Sequence, residues 1–317
     1  LVIKWQRSTV ITEFFKEAHM KQKKTTRVDA FTWINVFILT FLSLMCLLPI
    51  INVLAISFSA RGPVEAGRVV FWPVDFTTAA YEYILKDSGF LDALMVSMLR
   101  VLVGPALNLL LCILCAYPLS KTEAHFRARK LYVWIFLFAT LFNGGLIPTY
   151  MVVKQTKLIN SFWSLIIPGA VPVTYVIMMM NFFRSLPKEL EEAALIDGAN
   201  QWQICWKVIV PLSKASIATI TLFCIVGHWN AWFDGMLYFN TSVGQPLGTF
   251  LHNMVVNSGL DVMKSTSDVE TLAQLMKISS QTTKAAQIFL AMLPILIVYP
   301  YMRRYFSKGI VMGSVKG

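Results

Sequence analysis

Six runs of apolar residues, carrying one charge among them, alternate with polar intervals along this chain of 317 residues. Each run is close to the length that a helix needs to cross the hydrocarbon layer of a bilayer, about 20 residues. The pattern therefore predicts an all-α, polytopic membrane protein with six transmembrane helices. The runs cover residues 30–60, 93–120, 131–153, 158–183, 215–233 and 285–302.

The polar intervals divide the chain into three parts. Residues 1–29 are polar and basic and predict an N-terminal segment lying on the membrane surface. Residues 30–306 form the predicted six-helix domain, and residues 307–317 a short C-terminal tail. Arg100 is the one charge inside the second run. We interpret it as a side chain that snorkels to the membrane surface, and a functional charge is the alternative.

Composition supports the membrane assignment. Hydrophobic residues make up 56% of the chain, charged residues only 14%, and the mean hydropathy is +0.61, whereas soluble domains carry about 25% charged residues. The net charge of +11 could indicate nucleic acid as a partner. The basic residues flank apolar runs, however, so we expect membrane lipid with anionic headgroups as the partner and no nucleic acid.

The distribution of Lys and Arg predicts the orientation. Six crossings place both termini on one side of the membrane. Of the 28 Lys and Arg residues, 19 fall on the side of the termini, eight on the other side, and Arg100 within a run. By the positive-inside rule, both termini and the interval of residues 184–214 are cytoplasmic.

The chain lacks the sequence motifs of several kinds of chemistry. There is no Gly-Lys dipeptide, so the chain has no phosphate-binding P-loop. The chain lacks the His-Glu-x-x-His spacing of a metal site, and it lacks the catalytic pair that an enzyme within the membrane would need. The apolar runs hold almost no carboxylates, which argues against a proton or sodium relay. A transporter of this composition must take its driving force from another protein.

The interval of residues 184–214, here the 184–214 segment, has the pattern of a docking surface. Pro187 and the acidic residues after it favour a helix start. Small residues follow at helical spacing and predict one nearly bare helix face beside two tryptophans. An ordinary solvated helix whose alanines merely favour helicity is the alternative. The small residues are Ala193, Ala194, Gly198 and Ala199, and the tryptophans are Trp202 and Trp206.

The same segment resembles a known family. Glu192-Ala193-Ala194, three residues, Gly198, nine residues and Val208-Ile209-Val210-Pro211 resemble the E-A-A-x3-G-x9-I-x-L-P loop of ABC-importer permeases. Valines replace the Ile and Leu of that loop, which are conservative changes. Asp197-Gly198-Ala199 resembles the carbohydrate branch, of the maltose-importer type.

Three further stretches resemble the same branch, so the resemblance covers about residues 30–317. Trp229-Asn230, with Phe233, resembles its W-N-x-F element. Residues 142–150, with Asn143 and Tyr150, are similar to a subgroup that handles complex or acidic oligosaccharides. Residues 308–317 resemble the tail of the maltose-type second permease.

The resemblance implies the function and the partners. The chain would be the permease subunit of an ATP-driven importer for oligosaccharides, with no catalytic residues and no cofactor of its own. It would work in the inner membrane of a bacterium with a second permease subunit, identical or different, two ATP-binding subunits that hold ATP and Mg²⁺, and an extracytoplasmic solute-binding protein. The implied ATPase-coupling residues are Glu192, Ala193, Ala194, Asp197, Gly198 and Pro211.

The sugar path is less well marked. Aromatic rings suit the C–H faces of sugars, and polar side chains suit their hydroxyl groups. The path candidates are Asn143, Tyr150, Trp229, Asn230 and Trp232. Aromatic residues that anchor span ends at the membrane interface are the alternative. A permease for a non-sugar solute, or an ion-coupled carrier acting alone, also remain open as functions.

Overall fold

The computed structural model describes residues 30–142, 144–241, 243–256 and 279–313. The predicted N-terminal segment, residues 1–29, lies outside the described residues. So do Asn143, most of the predicted outer loop before the last helix, and the last four residues.

Helices make up almost all the regular structure of the described residues, apart from one bridge between Ser59 and Phe76. The predicted all-α class is confirmed. The α-helices, numbered in chain order, are α1 Ala30–Ser57, α2 Arg61–Glu65, α3 Ala79–Lys86, α4 Ser88–Ser120, α5 Arg129–Leu141, α6 Leu146–Gln155, α7 Val173–Ser185, α8 Glu189–Ile196, α9 Gln201–Ile204, α10 Val210–Leu212, α11 Lys214–Asn230, α12 Phe233–Tyr238, α13 Leu247–Val256 and α14 Ser280–Gly313. Two 3₁₀ turns, Phe162–Leu165 and Ile167–Gly169, precede α7, and a π-helical turn, Cys205–Ile209, separates α9 from α10.

Within the described residues, three unbroken helices are long and apolar enough to cross a membrane, and bent pairs raise the number to as many as six. The unbroken ones lie in α1, α4 and α14. The six apolar runs of the sequence correspond to these helices and pairs. Helix α14 continues through residues 303–313, past the predicted end of the last run at residue 302.

Prolines explain one of the bends. The 3₁₀ turns of residues 162–169 meet α7 at 49°. Pro168 and Pro172 lie at this break, and a proline can neither donate a backbone hydrogen bond nor let the preceding residue stay helical. Residues 201–212 meet α11 at 82°, at Ser213. The 184–214 segment therefore turns away from the span that follows it.

The chain forms two units, residues 1–52 and residues 53–317. In the first, the apolar side chains of α1 are largely exposed, Phe31 to 76%. A helix that is apolar all round and is not covered by protein is suited to lipid.

The main core of the second unit holds the 184–214 segment in place. It consists of buried side chains from α4, α7, the 184–214 segment and α11. Ile204 and Cys205 are the hydrophobic side chains of that segment that lie deepest. The segment is therefore a packed part of the fold and not a free loop. The other buried members include Cys112, Ile113, Ala116, Val176, Met179, Phe183, Ile220 and Cys224.

Candidate functional site

Helix α8 ends in a turn that requires glycine. The N–H of Gly198 donates to the carbonyl of Leu195 at 3.0 Å, and the N–H of Ala199 donates to the carbonyl of Ala194 at 3.0 Å. These two bonds form the Schellman motif that closes many helices, with the residue after the C-cap in the left-handed conformation. Gly198 has a φ of +80°, which suits a residue without Cβ. The chain therefore bends at Gly198, after the end of α8.

A capping box starts the next helix directly after this turn. The Asn200 side chain accepts a hydrogen bond from the backbone N–H of Gln203, and the Gln203 side chain accepts one from the backbone N–H of Asn200. Each side chain thus satisfies an otherwise unpaired donor of the helix start. The π-helical turn follows, and then Pro211, which has no backbone N–H to donate. Pro211 therefore lies where the helical hydrogen-bond pattern changes.

The exposed part of the turn is more apolar than the sequence predicted. We name Ala193, Ile196, Asp197, Gly198 and Trp202 the docking surface, after the role that the sequence predicts for this segment. All five residues are exposed. Ile196 is 86% exposed and Trp202 64% exposed. Large apolar side chains that water surrounds on one turn are typical of a surface that another protein covers.

The prediction that the small residues share one helix face is wrong in part. Ala194 and Ala199 are half-buried and pack against the main core, whereas Ala193 and Gly198 face solvent. Neighbours such as Ala193 and Ala194 lie about 100° apart around a helix, so they cannot share one face. The small residues thus serve two purposes: Ala194 and Ala199 allow close packing against the core, and Ala193 and Gly198 leave the exposed turn uncrowded.

Polar contacts fasten both arms of this turn to the end of α4. Glu191 of α8 forms an ion pair with Lys121, whose ammonium group lies 4.1 Å from the centre of the Tyr117 ring. The Tyr117 hydroxyl donates to Oε1 of Gln201, on the other arm, at 2.8 Å. Arg184, at the end of α7, donates to the carbonyl of Leu119 at 3.0 Å. The turn is therefore held against α4 from two sides.

A second cluster, which we name the interior polar network, lies beside the middle of α4. Arg100 is 3% exposed, and its guanidinium binds both carboxylate oxygens of Asp234. It also donates to Nδ1 of His228 at 3.3 Å and to the carbonyl of Ala231 at 3.3 Å. The interpretation of Arg100 as a snorkelling side chain is wrong: the helix turns it inward, where a carboxylate neutralises its charge.

His228 extends this network across the interior. Because its Nδ1 accepts from Arg100, its Nε2 carries the proton and donates to Oδ1 of Asn108 at 2.7 Å. The Asn108 amide in turn donates to the carbonyls of Gly169 and Ala170, each at 2.9 Å. The four side chains connect α4, the break before α7, the end of α11 and the start of α12.

The network borders a cavity of about 380 Å³. Gly104, one turn from Arg100 on α4, lets the His228 ring approach, since a Cβ there would lie 2.5 Å from Nε2. Sequence reasoning missed Asn108, His228 and Asp234 as partners of Arg100. The available signal was Arg100 itself, because a charge in an apolar run requires a partner, and Asp234 is the first carboxylate after the fifth run.

The sugar-path candidates do not form one site. Trp229, Asn230 and Trp232 line a cavity of about 400 Å³ beside α13 and α14. The ring of Trp232 stacks on that of His252, with centres 4.1 Å apart. Tyr150 packs instead with the cluster around Tyr238 and Phe239. The remaining candidate, Asn143, lies outside the described residues.

In the part of the chain that the structure describes, no group of three or more His, Cys, Asp or Glu side chains could hold a metal ion. The polar clusters instead join helices to one another. Their arrangement is that of a helical scaffold with an exposed turn beyond the end of α4 and a cavity beside the middle of that helix.

Comparison with known families decides what this scaffold is. The family model described as "Binding-protein-dependent transport system inner membrane component" matches residues 25–312. The chain belongs to this family. It is therefore a multi-pass inner-membrane permease subunit and not an enzyme. The match includes the docking surface and the whole interior polar network.

Two relatives match nearly the whole of this permease, and one of them is named for polysaccharide transport. It is 38% identical over 282 residues to the polygalacturonan/rhamnogalacturonan transport system permease protein YtcP of Bacillus subtilis, covering 89% of this chain and 96% of the relative. It is 37% identical over 298 residues to the protein LplC of the same organism, covering 94% and 98%.

A solved structure is similar as well. In the crystal structure of a bacterial ABC transporter that imports the acidic polysaccharide alginate, one chain matches with a TM-score of 0.80 and 31% identity. The match covers 89% of this permease and 98% of that chain. The prediction of an ABC-importer permease of the carbohydrate branch is confirmed.

Proposed function

We propose that this permease forms half of the translocation pathway for acidic oligosaccharides, driven by ATP that separate subunits hydrolyse. For the substrate, the supporting observation is that two of its relatives are named for pectic polysaccharides and for alginate, both built from acidic sugars. For the mechanism, it is the docking surface, a well-ordered turn that exposes Ile196 and Trp202 while the rest of the 184–214 segment is packed.

The proposed partners follow from this mechanism. Two ATP-binding subunits hold ATP and Mg²⁺, and one of them covers the docking surface on the cytoplasmic side, where both termini also lie. A second permease subunit supplies the other half of the pathway. An extracytoplasmic solute-binding protein delivers the oligosaccharide. Closure of the ATP-binding subunits moves the docking surface as a rigid body and opens the pathway to each side in turn.

The interior polar network argues against an ion-coupled carrier. A relay needs a carboxylate that can exchange a proton or a cation. Arg100 engages both oxygens of Asp234 and so neutralises that carboxylate from within the protein. The network fits a structural role, because it fixes where four helical segments meet.

Uptake into vesicles tests the proposal. We expect vesicles that contain the whole complex, internal ATP and the binding protein outside to accumulate oligogalacturonate of three to four units, about tenfold over vesicles with a hydrolysis-deficient ATPase subunit. Neutral malto-oligosaccharides of the same length are the matched control and should not accumulate. Accumulation by the permease alone under an ion gradient would establish the carrier. Uptake of the neutral sugar only would contradict the acidic substrate.

A further inference from the structure

We propose that Lys121 and Glu191, together with Tyr117 and Gln201, are positioning residues that make the 184–214 segment move as one body with α4, and so carry movement of the docking surface to the interior polar network. This inference rests on the proposed function, since it names the contacts through which ATP-driven movement would pass. The geometry points to α4 as the connecting element.

The first step is that both arms of the turn are tied to two neighbouring side chains at one end of α4. Glu191 lies before Gly198 and Gln201 after it, yet their partners, Lys121 and Tyr117, are four residues apart at the end of α4. The Lys121 ammonium group lies 4.1 Å from the centre of the Tyr117 ring, so the two partners lie side by side. A turn held at both arms cannot hinge at Gly198 without breaking one of these contacts.

The second step is that the ion pair is shielded from water. The side chains of Lys121 and Glu191 are only 12% and 23% exposed. Screening by salt is weaker for such partly buried pairs than for exposed ones. By contrast, Lys130 at the start of α5 and Glu123 in the turn before it form a pair at 3.0 Å whose side chains are 74% and 48% exposed. Pairs of that kind contribute little.

The third step is that the same helix reaches the interior polar network. Helix α4 runs without interruption for 33 residues, from Ser88 to Ser120. Arg100 and Asn108 lie on it and bind His228, Asp234 and the carbonyls before α7. Helix α7 is also tied to α4 at both ends, through Asn108 at its start and through Arg184 at its end. Movement of the turn is thus shared with α4 and α7.

Charge reversal tests the proposal. In the assembled complex, we expect Lys121→Glu and Glu191→Lys each to lower the stimulation of ATPase activity by solute-loaded binding protein about fivefold or more, the range of ordinary coupling energies. Each single variant places two like charges side by side. The double variant restores opposite charges and should recover at least half of the stimulation. The ratio of stimulated to basal activity is measured in the same samples, so it reports coupling and not the yield of complex.

The control is the exposed pair, reversed in the same way. Lys130→Glu, Glu123→Lys and their combination should leave the stimulation unchanged.

Tyr117→Phe is a milder variant for the case in which charge reversal prevents assembly. It removes only the hydroxyl group that reaches Gln201, and it should also lower the stimulation. Full stimulation in the single variants, or no recovery in the double variant, would overturn the inference. A wild-type complex without any stimulation would instead contradict the proposed function.

Discussion

Replacing Ala193 by Arg is expected to prevent the ATPase subunit from binding, while the permease still inserts and folds. The Ala193 side chain faces solvent on the docking surface, so the fold can accept a longer one. Beneath a covering partner, however, a bulky charge is left without water or a counter-charge. The expected loss is about 2 kcal/mol or more of binding free energy, roughly 30-fold in affinity. Co-purification of the ATPase subunit with the permease, together with uptake, measures it.

Two control variants separate docking from folding. Ala124→Arg places the same charge on another exposed residue of the predicted cytoplasmic side, in the turn after α4, and should leave binding intact. Ala194→Arg should fail for a different reason, because Ala194 is half-buried against the main core and an arginine there disrupts packing. Normal co-purification and uptake with Ala193→Arg would show that this turn is not the docking surface.

Replacing Asp234 by Ala is expected to destabilise the permease strongly. The change leaves the guanidinium of Arg100, which is 3% exposed, without its counter-charge. Breaking a buried ion pair on one side costs about 3–5 kcal/mol, because the remaining charge stays buried. The double variant, Arg100→Met with Asp234→Ala, removes both charges and should be less destabilised than the single variant. Thermal unfolding of the purified complex in detergent gives the comparison.

The exposed pair of Lys130 and Glu123 again provides the control. Glu123→Ala should change the free energy of unfolding by no more than about 1 kcal/mol, since the side chains of Glu123 and of its partner Lys130 are both largely in water. If Asp234→Ala were as mild as Glu123→Ala, the interior polar network would not hold the helices together.

The sequence predicted the 184–214 segment well because its signals are local. A proline, an acidic first turn and a glycine within 12 residues specify a short helix and its end, whatever packs around them. The apolar runs likewise predicted the helices, since length and lack of charge are properties of each run alone. Only the structure could show which small residues lie on the inner face and which on the outer face, because this depends on how α8 is rotated against the core.

The interior polar network could not be predicted in the same way. The partners of Arg100 lie 128 to 134 residues further along the chain. Their meeting depends on how α4 and α11 pack, which no local pattern specifies. The sugar-path candidates show the same limit: Tyr150 and Trp229 have similar chemistry, yet they pack in different clusters.

Site-specific crosslinking tests most directly whether the ATP-binding subunit covers the docking surface. A photoreactive amino acid at Ile196, which is 86% exposed, is compared with one at Val243, which is 78% exposed in a predicted outer loop. In cells that express the whole transporter, we expect residue 196 to crosslink to the ATP-binding subunit and residue 243 not to do so. A crosslink to the ATP-binding subunit from residue 243 but not from residue 196 would contradict the account.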